Sequence, residues 1–502
     1  MTTSMQQPTM NEFYHSFSLE DYPFNLYTAE NELSYLADLF VHPLNYDAIK
    51  SSFVGNRSII IRGNRGTGKT ALLLDLQNNT SKDSFSCVID DYSDLTLSPT
   101  VREYYELILA NITSTLFNKL FDEKDRLKKL NKDDKLLLSF LLSEYTNQVT
   151  QAELVRKIEA IQLPGWKRLL KGKADLIRAV CNYGLTLGLN IVNDVIRNYF
   201  SGLPPIQESQ IRDIAPQFNL AVESEFNTND ASYKFLLRVC ALVKKLGYDR
   251  ISVFFDKFDE DSRMENNAEI ISEFISPLLT DNKLLENPSI QIVVSVWEVP
   301  FSRLTSIVRT QKHYCPQLNW TIEKLSDALN RRISVFSHGE ISNYRNMFSS
   351  NVDENCFNSI FELSNGNPRD LWHIFDHIFH SQYEIDPLST KLSSEAVMNG
   401  LTNFVMNFNF YEYYPRKSNA KANTMDVYSY IKHLLKLSDK KFTKNQLNAL
   451  AQTGSSTNNY VIGMENIGLI AKTSEKLNGG VLYQIKDPKV IYAIQNGLDI
   501  SR

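Results

Sequence analysis

The chain has 502 residues, of which 43% are hydrophobic and 22% charged, with only 19 Gly and 16 Pro. These values exclude a disordered or collagen-like chain, and the length corresponds to about three or four domains. Net charge is −5, yet residues 413–502 hold 13 Lys and Arg against 6 Asp and Glu, a basic end on an acidic body that suits contact with a polyanion.

In chain order, residues 1–53 read as a leader. Its polar start lacks a basic stretch followed by an apolar core, so no secretory signal is expected. Leu33, Leu36, Leu39 and Phe40 recur at helical spacing. Residues 54–100 read as the first part of an α/β core: a β-branched strand at 58–61, a glycine loop, an apolar helix from Ala71, and a strand at 86–90. Residues 101–248 are helical in pattern, with helices at 101–121, 134–142, 152–161 and 232–246 and a break at Leu203-Pro204-Pro205. A parallel crossover needs only about a dozen residues, so this interval reads as a large helical insertion. Its most apolar stretch, 179–200, is broken by Asn182, Asn190, Asn193, Asp194 and Arg197, too polar for a membrane span; it reads as a buried or partner-facing helix. Residues 249–320 return to the core, with strands at 250–255 and 289–296. Residues 321–412 read as a helical lid and 413–502 as a separate module.

Cys87, Cys181, Cys240, Cys315 and Cys356 are odd in number and scattered, and the eight histidines form no HExxH pattern. Idle thiols in a reducing, cytoplasmic setting and no structural metal site are expected.

The glycine loop carries the sharpest signal. Gly63-Asn64-Arg65-Gly66-Thr67-Gly68-Lys69-Thr70 satisfies GxxxxGK[ST], after a strand and before a helix that opens toward Ala71. Glycines let consecutive N–H groups turn onto phosphates, and the helix N-terminus adds partial positive charge. Lys69 is expected on the β- and γ-phosphates and the Thr70 hydroxyl on Mg²⁺. A loop of this kind also needs a strand-end carboxylate for the Mg²⁺ shell, and Asp256, closing the run Ile251 to Phe255, is the candidate. Lys257 follows it, and the run Asp256-Lys257-Phe258-Asp259-Glu260 resembles the Asp-x-x-Asp-Glu form of STAND and NACHT-type ATPases, which implies Asp259 or Glu260 as the water-positioning acid. A solvated acidic turn is the plainer reading of that pair.

Three further features surround this set. Ser295 or Glu298, ending the strand at 289–296, could sense a γ-phosphate, and Arg303 or Arg309 could reach a neighbouring subunit. Asn365-Gly366-Asn367-Pro368-Arg369 sits between two amphipathic helices, and Pro suits the first helical position. The turn resembles the Gly-x-Pro-Arg sensor-2 turn of origin-recognition-type AAA+ and STAND proteins, which implies Arg369 as a cation that reports the nucleotide. An ordinary helix start with a surface Arg is the other reading. Asn131-Lys132-Asp133-Asp134 matches the guanine-reading NKxD string but follows no apolar strand, and reads as a chance match.

In residues 413–502, helices at 427–435, 444–451 and 457–467 precede two strands, 468–471 and 480–485, joined across Asn478-Gly479-Gly480. This is a winged-helix pattern. Its third helix begins Ser456-Thr457-Asn458-Asn459-Tyr460 without Lys or Arg, so DNA phosphates would fall to Lys444, Lys472 and Lys476. Packing against the rest of the chain is the other reading.

Together these residues (Ala29-Glu30-Asn31-Glu32, the phosphate loop, Phe255-Asp256-Lys257-Phe258-Asp259-Glu260, Leu318-Asn319-Trp320, Arg331-Arg332-Ile333 and the Gly-Asn-Pro-Arg turn) resemble a group of bacterial P-loop ATPases. That group is related to STAND/NACHT and origin-recognition-type AAA+ ATPases, many linked to phage defence. The resemblance implies an α/β P-loop NTPase core, a parallel sheet with helices on both faces, bearing the insertion, the lid and a C-terminal winged helix. It implies ATP with Mg²⁺, adenine as the base, and catalytic roles for Lys69, Asp256, Asp259, Glu260 and Arg369. It further implies an ATP-driven regulatory switch or assembly ATPase, a homo-oligomer, and an effector protein such as a nuclease. The alternative is an ATPase that remodels or loads onto double-stranded DNA.

Overall fold

The computed structural model describes residues 7–145, 193, 196–197, 200, 202–205, 228–416, 425–477 and 479–501. The expected helix at 152–161, Cys181 and most of the apolar stretch 179–200 lie outside these residues.

Four parallel strands form the central sheet: β1 (Ile59–Gly63), β2 (Ser84–Ile89), β3 (Arg250–Phe255) and β4 (Gln291–Trp297), in the order β1-β4-β3-β2. The strands are apolar on both faces, as a parallel sheet covered on both sides requires. Ile59, Ile61, Phe254 and Val293 point to one face, where α1 (Tyr46–Val54) and α2 (Lys69–Asn78) bring Ile49, Phe53, Leu72 and Leu76. Ile60, Phe85, Cys87, Val253, Phe255 and Val294 point to the other. There they meet α3 (Val101–Asp122), α4 (Thr228–Lys245) and α5 (Ala268–Thr280) in one apolar cluster. The interval read as an insertion thus supplies helices that cover this face of the sheet. Ile196 and Phe200, from the apolar stretch, are buried in the same cluster. The chain is therefore α/β with a doubly covered parallel core.

Two features of the sheet could not be read from the strand pattern. The strand ending at Asp256 is not next to β1, because β4 lies between them, and this brings Ser295 beside Asp256. Beyond β1, the segment 314–318 runs parallel to it: Ile60 and Arg62 N–H donate to the Tyr314 and Pro316 carbonyls, and Leu318 N–H to the Arg62 carbonyl. Pro316 lacks the donor that a regular strand would need, so this fifth sheet element escapes a pattern search.

The leader folds over this core and the helices that follow. α6 (Ile322–Phe336), α7 (Glu354–Leu363), α8 (Pro368–Ile385) and α9 (Ser394–Asn407) share a second apolar cluster with Phe13, Phe17 and Phe24 of the leader. The Leu33–Phe40 periodicity gives only one helical turn, at Leu36–Leu39, preceded by a 3₁₀ turn at Ala29–Glu32.

The last segment has α10 (Val427–Leu434), β5 (Lys441–Thr443), α11 (Lys444–Ala451), α12 (Thr457–Asn466), β6 (Ile470–Leu477), β7 (Gly480–Ile485) and α13 (Pro488–Asn496). Its strands form an antiparallel sheet in the order β5-β7-β6. No helix among the described residues is long and apolar enough to cross a membrane.

Candidate functional site

The loop after β1 is built around its glycines. Gly66 (φ 80°) and Gly68 (φ 84°) take the left-handed conformation, and a Cβ on Gly63 would stand 2.8 Å from the Thr67 hydroxyl. Thr67, buried, donates to the Asn64 carbonyl at 2.8 Å and offers its own carbonyl to Trp320 Nε1 at 2.9 Å. α2 starts at Lys69 with Gly68 as its N-cap, so free N–H groups face the loop. Lys69 Nζ donates to the Gly63 and Asn64 carbonyls at 3.1 and 2.9 Å. Burial pushes its pKa down, against the pull of Asp259 and Asp256.

Asp256 directly follows β3 at its C-terminal end. Its Oδ2 accepts from the Thr70 hydroxyl at 2.7 Å and its Oδ1 from the Ser295 hydroxyl at 2.5 Å. Burial pushes its pKa up, while the two hydroxyls and Lys69 oppose this. Of the two strand-end candidates, Ser295 therefore joins the site. Glu298 does not: it pairs with Arg62 at 3.0 Å.

The acidic pair divides by environment. Asp259 accepts from Arg65 Nε at 2.5 Å. Burial alone would raise its pKa, but Arg65 and Lys69 bring it below the usual range. Glu260 is exposed on the cavity wall, and burial of its carboxyl followed by the charge on Asp259 raises it. Lys257, at φ 61°, turns its ammonium to Glu30 of the leader at 2.8 Å.

These groups border a cavity of about 690 Å³. Arg65, Gly66, Gly68, Lys69, Thr70, Ala71, Asp256, Asp259, Glu260 and Arg369 all line it. Leu36, Leu39, Val41 and Pro43 of the leader, with Ala328 of α6 and Pro368 and Trp372 of α8, also line it and supply apolar surface. Arg369 Nε donates to the Tyr27 carbonyl at 3.3 Å. Arg332, almost wholly buried, fastens the leader: it donates to the Pro23 and Leu26 carbonyls and pairs with Glu32 at 2.5 Å. The leader's part in the cavity was missed from sequence; the Ala-Glu-Asn-Glu run was its only trace.

The remaining candidates lie elsewhere. Arg303 and Arg309 are exposed and do not border the cavity. Asn131 is the N-cap of the helix Lys132–Glu144, accepting from Asp134 N–H, and Asp134 pairs with Lys245 at 2.7 Å. The NKxD string is thus a helix start. Cys87, Cys240, Cys315 and Cys356 are free thiols. Among the described residues, no group of three His, Cys, Asp or Glu could hold a metal ion. The Thr70–Asp256 pair suits Mg²⁺ instead, which takes one or two protein ligands and completes its shell with phosphates and water.

A parallel α/β sheet with a phosphate-type glycine loop, a strand-end carboxylate hydrogen-bonded to that loop and a lid arginine on the same cavity define a P-loop protein. No family model matches the chain, and no curated protein matches it. Among solved structures it is similar to the Aeropyrum pernix ORC1 protein in complex with DNA, at 10% identity over 91% of this chain and 93% of that one, TM-score 0.31. It is also similar to the Aeropyrum pernix ORC2 protein in ADPNP–ADP complexes, at 10% identity over 92% and 98%, TM-score 0.41. A third is Drosophila ORC bound to DNA, at 9% identity over 99% and 96%, TM-score 0.30. Likenesses this remote assign the chain no family, and the functional reading rests on its own residues.

Proposed function

We propose that this chain is an ATP-binding and ATP-hydrolysing P-loop ATPase that acts on double-stranded DNA through its C-terminal module. The observation that carries the ATPase reading is the Asp256 carboxylate, which accepts from Thr70 of the phosphate loop and from Ser295 of β4.

The loop N–H groups from Asn64 to Ala71 and Lys69 hold the phosphates, and the leader's apolar wall takes the base, read as adenine. Thr70 and Asp256 would hold Mg²⁺, which supplies charge neutralisation on the β- and γ-phosphates. Glu260 positions the water and takes its proton as the water oxygen attacks the γ-phosphorus and the bond to the β-phosphate oxygen breaks. Both acids line the cavity, but Asp259 Oδ2 is taken by Arg65 and the pKa of Glu260 is raised, which favours Glu260. Arg369 faces the same cavity from the lid and carries the nucleotide state into α8.

We read the three helices and three-stranded sheet of residues 427–485 as a winged helix, a reading their order supports. Lys472 and Lys476 are exposed on β6, and Lys444 Nζ sits 2.6 Å from Asn458 Oδ1 of α12. Lys444 is thus a cation beside a third helix that has none of its own. A homo-oligomer fits this reading, since exposed Arg303 and Arg309 are available to a second copy. The anti-phage switch with an effector such as a nuclease rests on the sequence resemblance alone.

The test is ATP turnover by the purified chain, alone and with double-stranded DNA, with molar mass read on the same samples. DNA-stimulated turnover supports the reading. Turnover indifferent to DNA removes the DNA half, and absence of ATP binding removes the whole.

A further inference from the structure

Arg65 lies in the phosphate loop, where the phosphates require only its backbone N–H. Its guanidinium is committed to protein. Nε donates to Asp259 Oδ2 at 2.5 Å, Nη2 to the Asp259 carbonyl at 2.9 Å, and Nη1 to the Tyr411 carbonyl at 3.3 Å. The group also lies over the Trp297 ring, 4.4 Å from its centre. The Arg65 carbonyl in turn accepts from Asn367 Nδ2 at 2.7 Å, and the same amide reaches the Tyr413 hydroxyl at 2.5 Å. One loop residue thus joins the acidic turn, the end of β4, the lid turn and the 409–416 linker that leads into the C-terminal module.

The acidic turn needs outside support. Lys257 holds a left-handed backbone at φ 61°, which a residue with a Cβ adopts at some cost. Asp259 is buried beside Lys69, and an unpaired carboxylate there would draw the ammonium from its place on the loop. The planar fork of Arg65 fixes both the carboxylate and the carbonyl of Asp259, a geometry that a point charge does not reproduce.

Resting on the ATPase reading, we propose that Arg65 is a positioning residue for hydrolysis: it holds the 257–260 turn so that Glu260 faces the cavity, and it makes that position depend on the docked linker at Tyr411 and Tyr413.

The test uses the full chain and its Arg65→Ala, Arg65→Lys, Asp259→Asn, Arg65→Ala/Asp259→Asn and Tyr413→Phe variants. Each is measured for equilibrium ATP affinity, single-turnover hydrolysis and thermal unfolding. Arg65→Ala should slow hydrolysis by about tenfold or more while ATP affinity changes by less than about threefold, because the loop N–H groups remain. Arg65→Lys should recover part of the loss. Asp259→Asn, isosteric and safe for folding, should slow hydrolysis similarly, and the double variant should be no worse than the poorer single one. Tyr413→Phe should slow hydrolysis several-fold at unchanged affinity. Undiminished hydrolysis in Arg65→Ala overturns the proposal, as does affinity lost in step with rate or losses that multiply in the double variant. Hydrolysis indifferent to Tyr413→Phe overturns the linker dependence. Wild-type protein that binds ATP without hydrolysing it is a different failure: it removes the ATPase reading itself, whereas the variant outcomes are read only against an active wild type.

Discussion

The side-chain amide of Asn367 fills the space that a Cβ on Gly66 would need, with Oδ1 at 2.5 Å and Nδ2 at 2.8 Å from that position. The lid turn therefore rests directly on the phosphate loop. Gly66 also has φ 80°, which alanine resists. Gly66→Ala is expected to lift the lid turn and distort the loop, weakening ATP binding by about tenfold or more. Titration with a fluorescent ATP analogue checks this. Asn367→Gly in the same chain should restore part of the affinity, since it removes the obstructing amide.

Lys69→Ala and Glu260→Gln separate binding from chemistry. The first should abolish measurable ATP binding; unchanged affinity would withdraw the site. The second should leave binding intact and slow hydrolysis by roughly 100-fold or more, the scale of a lost general base. Burial and Asp259 raise the Glu260 pKa. Hydrolysis should therefore fall on acidification at a pH above the ordinary glutamate range. A rate–pH profile whose acid limb persists in Glu260→Gln would assign that limb to another group.

How much of this was readable beforehand follows from whether the signal was local. The phosphate loop was readable because its chemistry is contiguous: glycines, Lys69 and Thr70 lie within one turn. Asp256 was readable because an apolar strand ends on it. The choice between Asp259 and Glu260 was not, since it depends on Arg65, 194 positions away from Asp259. Ser295 against Glu298 was open for the same reason, since the contact of Ser295 with Asp256 joins residues 39 positions apart. The leader's wall went unread because Leu36, Leu39, Val41 and Pro43 act from short turns without a sustained period. Pro316 hid the segment beside β1. At Lys489, sequence placed a cation in a basic module, but that cation is fully buried and adds nothing to the module's outer surface.

Lys489 yields a stability prediction. Its Nζ stands 3.0 Å from Asp370 Oδ2 without hydrogen-bond geometry, over the Phe408 and Tyr413 rings at 4.2 and 4.4 Å. Burial raises Asp370, and Lys489 opposes this. Lys489→Met fills the volume but strands a buried carboxylate, at a cost of about 3 kcal/mol near neutral pH. Removing the cation raises the Asp370 pKa further, so the deficit should shrink as acid neutralises the carboxyl. Thermal unfolding across pH checks this. The Lys489→Met/Asp370→Asn double variant should recover most of the loss.

His373 and His380, both on α8, should pull stability in opposite directions with pH. Burial lowers His373 to about 4, where it stacks on Tyr27 at 3.9 Å. Its contribution is present above the unfolded value of 6.5 and is lost as pH falls toward 4. That loss should reach about 2 kcal/mol and disappear in His373→Phe. The Asp376 side chain raises His380 to about 9, so its contribution is full below 6.5 and fades as pH rises through 9. His380 is half-exposed, which makes that limb shallow. Urea unfolding of the unaltered chain and of His373→Phe from pH 4 to 9 separates the two.

The surface of the C-terminal module supplies the last prediction. Lys472 and Lys476 stand exposed on β6, and Lys444 reaches Asn458 on α12, whereas Lys441 is engaged with Glu475 at 2.8 Å. Cations that contact phosphate act through counterion release, so each one lost should reduce the dependence of log affinity on log salt by about one unit. Lys472→Glu/Lys476→Glu is expected to weaken binding to a short duplex at low salt, to flatten that salt dependence and to leave ATP affinity unchanged. Lys441→Glu should act mainly by breaking its pair with Glu475 and change the slope less. A duplex affinity that ignores Lys472 and Lys476 would move the contact off β6. Indifference to salt as well would remove DNA as the module's target and leave packing against the lid, through Lys489 and Asp370, as its function.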